Sequence, residues 1–405
     1  MDSIREFLHQ AYIAIGGIVA RFLPDRVPVT FVGADSAREL CASIGDLGLT
    51  KVLIVTDAVL VEVGIVTRVT DALEAAGVRW STYAGVTPDP TFDQVEAGLA
   101  QLEREKCDAV LAVGGGSPMD AAKMVAALAT NGRPLAKLEG LFKVRALPLP
   151  LFAIPTTAGT GSEATVAAVV SDPVSHAKKF YLDPKLMPSM AALDPTLMTG
   201  LPPAVTAATG MDALTHAVES FVSKTSTPQT EAYARIAVRL VFENLAKAYG
   251  NGEDLGARKA MALASYYAGI AFTRTSVGYV HAIAHNFGAL YRTPHGLANA
   301  IALPHVLEFS KREAQPQLAR LAELIGLTAG SDAEKADAFI AAVRELMAQV
   351  GIPYTLAALR SQDIGTIAER ACAEAFLNYP VPRYMQPRQC EALLRRILPQ
   401  PATAS

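Results

Sequence analysis

Two hydrophobic rhythms divide the chain. In the first half, short runs of aliphatic and β-branched residues alternate with longer stretches of helical periodicity. KVLIVTD (residues 51–57), VRWSTYAG and CDAVLAVGGGS read as buried strands, and PLFAIPTTAGTGSEAT as a further strand ending in a loop. The intervening VEVGIVTRVTDALEAAG, TFDQVEAGLAQLEREK and PMDAAKMVAALATN carry helical spacing. Alternation of this kind predicts a parallel sheet covered on both faces. Past about Met198 the strand runs stop, and LMTGLPPA, with Gly200, Pro202 and Pro203, punctuates the change. EAYARIAVRLVFENLAKAYG, GARKAMALASYYAGIAF, DAEKADAFIAAVRELMAQVG and CEALLRRIL then carry helical periodicity. The expected organisation is an N-terminal helical extension over residues 1–30, an α/β domain over 31–198 and an all-α domain over 199–405.

Composition narrows the picture. The 405 residues are 51% hydrophobic and 19% charged, with a formal net charge of −3. That length suggests two domains with a large core and no need of disulfide staples. A near-neutral, mixed charge gives no electrostatic footprint for nucleic acid. Cys41, Cys107, Cys372 and Cys390 form no CxxC pattern, so a reduced, cytoplasmic protein is expected. The apolar run over residues 12–20, between His9 and Arg21, is shorter than the roughly twenty residues that a membrane span needs. No basic segment precedes it, as a signal peptide would require. It reads as an extra amphipathic helix packed on the body or on a second subunit, with no integral membrane segment.

Candidate chemistry enters with two loops. In GGGSPMDAAK, Gly114, Gly115 and Gly116 allow a tight turn, Ser117 is placed as helix N-cap, Pro118 as first helical residue and Asp120 as the acid of a capping box. A helix start with free N–H groups suits a phosphate. PTTAGTGSEAT carries Thr156, Thr157, Thr160, Ser162 and Thr165 at the carboxyl end of the next strand, the usual ligand crevice of an open α/β sheet. Asp57 ends an earlier strand, where an acid accepts hydrogen bonds from ribose hydroxyls and repels a 2′-phosphate, favouring NAD over NADP. The acid precedes the glycine loop, the reverse of the common dinucleotide fingerprint.

The second half carries a different constellation. Asp212 and His216 stand four apart in TGMDALTHAVE, His281 and His285 repeat that spacing in GYVHAIAHNFGALY, and His295 follows in TPHGLANA. Residues four apart on a helix are neighbours on one face. Of the chain's 7 histidines, His9, His176 and His305 fall outside this cluster; His176 reads as an exposed turn residue and His305 as structural. An aspartate with three histidines suits Fe²⁺, Zn²⁺, Ni²⁺ or Co²⁺, and ligand type alone does not choose among them. Structural zinc sites are usually rich in cysteine, and this set has none.

In order along the chain, Asp57, GGGSPMDAAK, PTTAGTGSEAT, TGMDALTHAVES and GYVHAIAHNFGALYRTPHGLANAIALPH resemble the iron-containing (group III) alcohol dehydrogenase family. The resemblance covers roughly residues 30–395, and the two long C-terminal motifs are its most specific part. It implies the dehydroquinate synthase-like fold: an α/β dinucleotide-binding domain followed by an all-α, metal-binding catalytic domain. Asp212, His216, His281 and His295 would be the metal ligands, and His285 the additional histidine near nicotinamide and metal. Gly115, Gly116, Ser117 and Asp120 would hold the pyrophosphate region, Thr156, Thr157, Thr160 and Thr165 would line the cofactor, Lys179 would contact it, and Leu197 would stand near the adenosine. Two departures stand out: VTPDPT has Asp89 where many relatives have asparagine, and the first thirty residues have no counterpart in the shortest members.

The implied reaction is reversible oxidation of an alcohol to an aldehyde or ketone by NAD⁺, with Fe²⁺ as the expected ion, Zn²⁺ or Ni²⁺ as alternatives, and His285 relaying the proton. A homodimer acting on a small-molecule alcohol or aldehyde follows from the same resemblance. A dehydroquinate synthase-type lyase and a hydroxyacid–oxoacid transhydrogenase would use the same sites. The lyase needs several basic residues for its substrate, whereas AIAHNFGALY and YYAGIAFT are apolar and aromatic, which favours an uncharged alcohol. Phe180, Phe272, Tyr291 and Tyr379 are candidate substrate-facing aromatics. A non-enzymatic metal- or nucleotide-binding regulator is the least favoured reading, because both kinds of site are present.

Overall fold

The computed structural model describes residues 26–174 and 177–399. The extension proposed over residues 1–30 therefore lies almost wholly outside the described residues, as do His9, the apolar run 12–20 and His176. Contacts divide the chain into two compact units. One runs through Leu201 and includes Gly252–Gly269; the other comprises Pro202–Asn251 and Ile270 onward.

The first unit is built on a parallel sheet of 6 strands in the order β1-β9-β6-β4-β2-β3. Its strands are β1 (Val29–Val32), β2 (Lys51–Val55), β3 (Arg79–Tyr83), β4 (Ala109–Gly114), β6 (Leu151–Pro155) and β9 (Met190–Leu193). The near-continuous apolar runs of β2, β4 and β6 are what a sheet covered on both faces requires. Alternate residues feed opposite cores: Leu53, Val55, Val110, Ala112 and Ala153 pack on one face, and Val52, Ile54, Leu111, Val113 and Ile154 on the other. Helix α1 (Ser36–Asp46) and helix α3 (Ile65–Ala75), which follows the short helix α2 (Ala58–Glu62), cover one face. Helices α4 (Phe92–Glu105) and α5 (Gly116–Asn131) cover the other. Helix α5 is apolar nearly all round and is buried accordingly.

A small sheet of β5 (Gly140–Leu141), β8 (Lys178–Leu182) and β7 (Ala167–Ser171) completes the strands. The alternating pattern announced β2, β3, β4 and β6. Strands β1, β5, β7, β8 and β9 are additions, and β1 lies partly inside the segment read as an extension. Residues 252–269 join this unit from far along the chain. The Gly161 N–H donates to Ser265 Oγ (3.0 Å), and Thr30 Oγ1 donates to the Tyr266 hydroxyl (2.8 Å).

The second unit is helical throughout its described residues. Helix α6 (Pro203–Val222) begins with proline in its first turn and is buried over most of its length. Helices α7 (Pro228–Gly250), α8 (Leu255–Thr275, shared with the first unit), α9 (Tyr279–Tyr291), α10 (His295–Ser310), α11 (Gln315–Leu324), α12 (Asp332–Gln349), α13 (Ile364–Asn378) and α14 (Pro387–Ile397) follow. Capping boxes at Thr227/Thr230 and Ser331/Glu334 start α7 and α12. No helix among the described residues is long and apolar enough to cross a membrane.

Candidate metal centre and dinucleotide loops

In the sheet unit, Asp57 follows β2, the glycine turn follows β4 and the threonine loop follows β6. These are adjacent parallel strands, so all three segments stand at one carboxyl edge. The chain runs outward from β2 to β3, returns to β4 and then proceeds the other way through β6 and β9. The switch point thus lies between β2 and β4, where open sheets bind ligands.

Helix α5 starts two residues earlier than the sequence suggested. Gly115 holds the N-cap position without a side-chain cap, and Ser117 is the second helical residue, correcting its assignment as N-cap. Asp120 forms no capping box. Its Oδ1 accepts from Ser162 Oγ (2.8 Å) and its Oδ2 from the Val169 N–H (3.0 Å). The first N–H groups of α5 therefore meet no side-chain cap, which fits an anion such as a pyrophosphate.

The threonine loop lies directly over this turn. A Cβ placed on Gly115 would come to 3.1 Å from Thr157 Oγ1, and one on Gly116 to 2.9 Å from Thr160 Cγ2. A side chain at either glycine would thus crowd this chain's own loop. Behind the loop stands Lys123, 1% exposed, which the sequence reading passed over. Its Nζ lies within hydrogen-bonding distance of Ser162 Oγ (2.9 Å), Thr165 Oγ1 (2.9 Å), Thr165 O (3.1 Å) and Ala167 O (2.7 Å), four acceptors for its three N–H bonds. Burial brings its ammonium down to about 8 despite Asp120 and Glu163, and burial pushes the neighbouring Glu163 carboxyl up to about 7. Asp120 and Thr165 thus brace the loop from within, and Thr156 is buried, its N–H donating to the Gly114 carbonyl.

The remaining candidates have defined places. Asp57 caps α2, its Oδ1 accepting from the Leu60 N–H (3.0 Å). Lys179 pairs with Glu139 (3.1 Å). Leu197 is buried in the core beneath the sheet. Asp89 adopts a left-handed φ of 57° and pairs with Lys178 (2.8 Å).

In the helical unit, α6 presents Asp212 and His216, α9 presents His281, and α10 begins with His295. One ligand atom from each of these four lies within 4.8 Å of all the others. Asp212, His216 and His281 are buried, while the His295 side chain is 36% exposed and forms the open side. Close packing makes this possible: a Cβ on Gly296 would run into the Ala208 carbonyl oxygen and stand 3.3 Å from Asp212 Cβ.

The donor set fits a divalent cation. The Nε2 atoms of His216 and His281 face each other at 3.0 Å. Asn299 Nδ2 lies 2.7 Å from Asp212 Oδ1, 3.2 Å from His281 Nε2 and 3.1 Å from His295 Nε2, so their lone pairs point to one place. His216 Nδ1 and Asn299 Oδ1 are buried with no hydrogen-bond partner among the described residues. Burial, then the neighbouring His216, hold the His281 ring well below its ordinary value, in the neutral form that ligates. Burial works to raise the Asp212 carboxyl, but attraction to His216, His295 and His281 and the Asn299 hydrogen bond hold it below its ordinary value.

A buried carboxylate orients this set. Glu219 accepts from the Gly278 N–H (2.8 Å), the Val280 N–H (2.8 Å) and His281 Nδ1 (2.6 Å). An acceptor on Nδ1 places the proton there and turns Nε2 toward the cluster. His285, one turn further on, stacks on His295 with centroids 5.6 Å apart, and its Nδ1 lies 2.7 Å from Glu374 Oε1. Phe272 stacks on His216 (4.1 Å), Tyr291 donates to Asp363 and Tyr379 to Glu374. Phe180 lies on β8 in the other unit, and His305 is a partly buried residue of α10. Glu219 was legible in principle, being three residues after His216 on the same helix; Asn299 follows His295 by four. Glu374 carries no local signal.

Comparison with known proteins agrees with this layout. A family model for the iron-containing alcohol dehydrogenases matches residues 28–195, and one for the C-terminal part of the Fe-containing alcohol dehydrogenase family matches residues 206–398. The NAD-dependent methanol dehydrogenase of Bacillus methanolicus is 38% identical over 354 residues, 86% of this chain and 92% of that protein. A crystal structure of 1,3-propanediol oxidoreductase superposes with a TM-score of 0.89 at 39% identity, covering 92% of this chain and 98% of the other. Sulfoacetaldehyde reductase from Bifidobacterium kashiwanohense, in complex with NAD⁺, gives 0.84 at 28% identity, covering 94% and 98%. The alternation of sheet and helix, the uncapped turn under a threonine loop and the converging Asp–His₃ set therefore have one common source: the chain belongs to the iron-containing alcohol dehydrogenase family.

Proposed function

We propose that this enzyme interconverts a short primary alcohol or diol and its aldehyde with NAD⁺, using a divalent iron ion held by Asp212, His216, His281 and His295. The convergence of those four ligand atoms within 4.8 Å carries the reading. Relatives named for methanol and 1,3-propanediol support a small, uncharged substrate. When bound, the ion supplies Lewis acidity toward the alcohol oxygen, and NAD⁺ supplies the hydride acceptor.

The chain's own residues do the rest. Glu219 fixes the His281 ring, and the Asp212 carboxylate contributes negative charge that favours a divalent ion. The first N–H groups of α5, with Gly115, Gly116 and Ser117, cradle the pyrophosphate, and Thr157 and Thr160 close over them. Asp57 takes the ribose hydroxyls and Lys179 contacts the cofactor, while Leu197 supports the adenosine side from the core. Asp120, Thr156 and Thr165 hold the loop in shape. His285 takes the alcohol proton. A homodimer in the cytoplasm completes the proposal, supported by family resemblance and by four free cysteines, all buried; light scattering and fractionation test those two points.

The test is anaerobic NADH absorbance after stripping the metal and restoring Fe²⁺, Zn²⁺, Ni²⁺ or nothing, with NAD⁺ and a panel of primary alcohols, diols and hydroxyacids. NADH formation that depends on added metal and favours short alcohols is the expected result. Protein that binds metal and NAD yet never accumulates NADH, while converting an added alcohol–aldehyde pair, is a transhydrogenase instead.

A further inference from the structure

Helix α13 packs along α9, and across that contact Glu374 reaches His285. Its Oε1 stands 2.7 Å from His285 Nδ1 and receives the Tyr379 hydroxyl at 2.5 Å. Both bonds converge on one oxygen. Tyr379 is 7% exposed, and burial together with Glu374 holds its phenol well above the ordinary value, so it remains a donor. An ionised carboxylate has only lone pairs to offer. With the tyrosine donating, the remaining partner must donate as well, and the proton of a neutral His285 ring must sit on Nδ1. The other nitrogen, Nε2, then carries the lone pair. His285 is held beside the ligand cluster, stacked on His295 (5.6 Å, 15°) and edge-on to His281 (6.1 Å).

We propose that Glu374 is a positioning residue: its acceptor-only carboxylate, steadied by Tyr379, fixes the His285 tautomer with Nδ1 protonated and leaves Nε2 as the atom that takes the substrate proton. The geometry is that of a histidine oriented by a partly buried acid, with a tyrosine as the second donor that keeps the acid in place. The proposal rests on the proton-accepting role given above to His285. A glutamine at 374 keeps the size but loses the compulsion, because its amide can turn a donor toward Nδ1 and shift the ring proton to Nε2.

Two readouts on the full-length enzyme test it. In zinc-loaded protein labelled with ¹⁵N-histidine, with His285→Gln used to identify the signal, the wild type shows His285 protonated on Nδ1. Glu374→Gln abolishes or mixes that state, and Tyr379→Phe retains it. In iron-loaded protein, Glu374→Gln lowers kcat about a hundredfold, the scale of a displaced acid–base group, with metal content and KM for NAD⁺ unchanged. Glu374→Ala, made in case the glutamine variant folds poorly, loses kcat likewise and regains part of it with added formate. An unchanged His285 tautomer in Glu374→Gln, or kcat within twofold of wild type while His285→Ala is slow, overturns the proposal. If His285→Ala is itself fully active, the proton-accepting role fails instead, and the tautomer signal still decides what Glu374 does.

Discussion

At the scale of single residues, Glu219 is the clearest case of a side chain whose value lies in the atoms it satisfies. Three donors meet its carboxylate: two backbone N–H groups at the start of α9 and the Nδ1–H of His281. Burial pushes its carboxyl up to about 7, against the pull of those N–H groups, and a bound cation on the far side of His281 would oppose that rise. Glu219→Gln places one amide NH₂ among groups that are all donors. Metal affinity is expected to fall about tenfold to a hundredfold, the usual effect of losing an orienting partner. Competition with a calibrated chelator measures it, and wild-type affinity in Glu219→Gln would remove the role. The cluster of Asp212, His216, His281 and His295 was readable because helical spacing pairs Asp212 with His216 and because histidine is scarce in this chain. Their partners were not, because glutamate and asparagine are ordinary on helices and only the fold shows that Glu219, Asn299 and Glu374 face inward.

At the scale of elements, two close approaches set the candidate sites, each at a glycine. Helix α10 packs on α6 where Gly296 faces the Ala208 carbonyl, and the threonine loop packs on α5 where Gly116 faces Thr160. An alanine at either place forces the neighbour aside, and overpacking of this kind costs about 1–3 kcal/mol. The consequences separate. Gly296→Ala displaces His295 from Asp212 and is expected to weaken metal binding while NADH binding survives. Gly116→Ala disturbs the α5 N-terminus and is expected to weaken NADH binding about tenfold, equivalent to about 1.4 kcal/mol, while metal binding survives. Calorimetric titration of metal and of NADH into both variants checks the pattern, and parallel losses of both ligands in either variant would contradict it. Strands β2, β4 and β6 were legible because each is a local apolar run. Strands β1 and β9 are only four residues each, and MAAL has no strand character of its own; β9 is a strand because β1 and β6 flank it. The same limit hid residues 252–269, whose place with the sheet unit depends on Gly161 and Thr30 more than a hundred positions earlier.

For the molecule as a whole, a metal held by this cluster would tie together α6, α9 and α10, which carry all four candidate donors. Binding to the folded state alone stabilises by mass action, about 2.7 kcal/mol when free metal is a hundredfold above Kd. For a unit of 150–250 residues, that corresponds to a rise of roughly 5–10 °C in unfolding midpoint over the stripped protein. The gain depends on pH with a definite sign. Ligation needs neutral histidines, and an unperturbed histidine gains its proton near pH 6.5. In the stripped fold, His281 resists protonation because burial and His216 hold its value well below that. The unfolded chain therefore takes up the proton first, and this contribution to stability, full above pH 6.5, is lost as pH falls toward the folded value. Glu219, raised to about 7, acts in the opposite sense in the stripped fold, losing its contribution as pH rises through that value. Comparing loaded with stripped protein at each pH isolates the metal: the midpoint difference is expected to be full at pH 8 and to shrink steadily by pH 5, as protons displace the ion from three histidines at once. Differential scanning calorimetry across that range decides it. A difference that stays constant down to pH 5 would mean that the histidines of this cluster do not hold the ion.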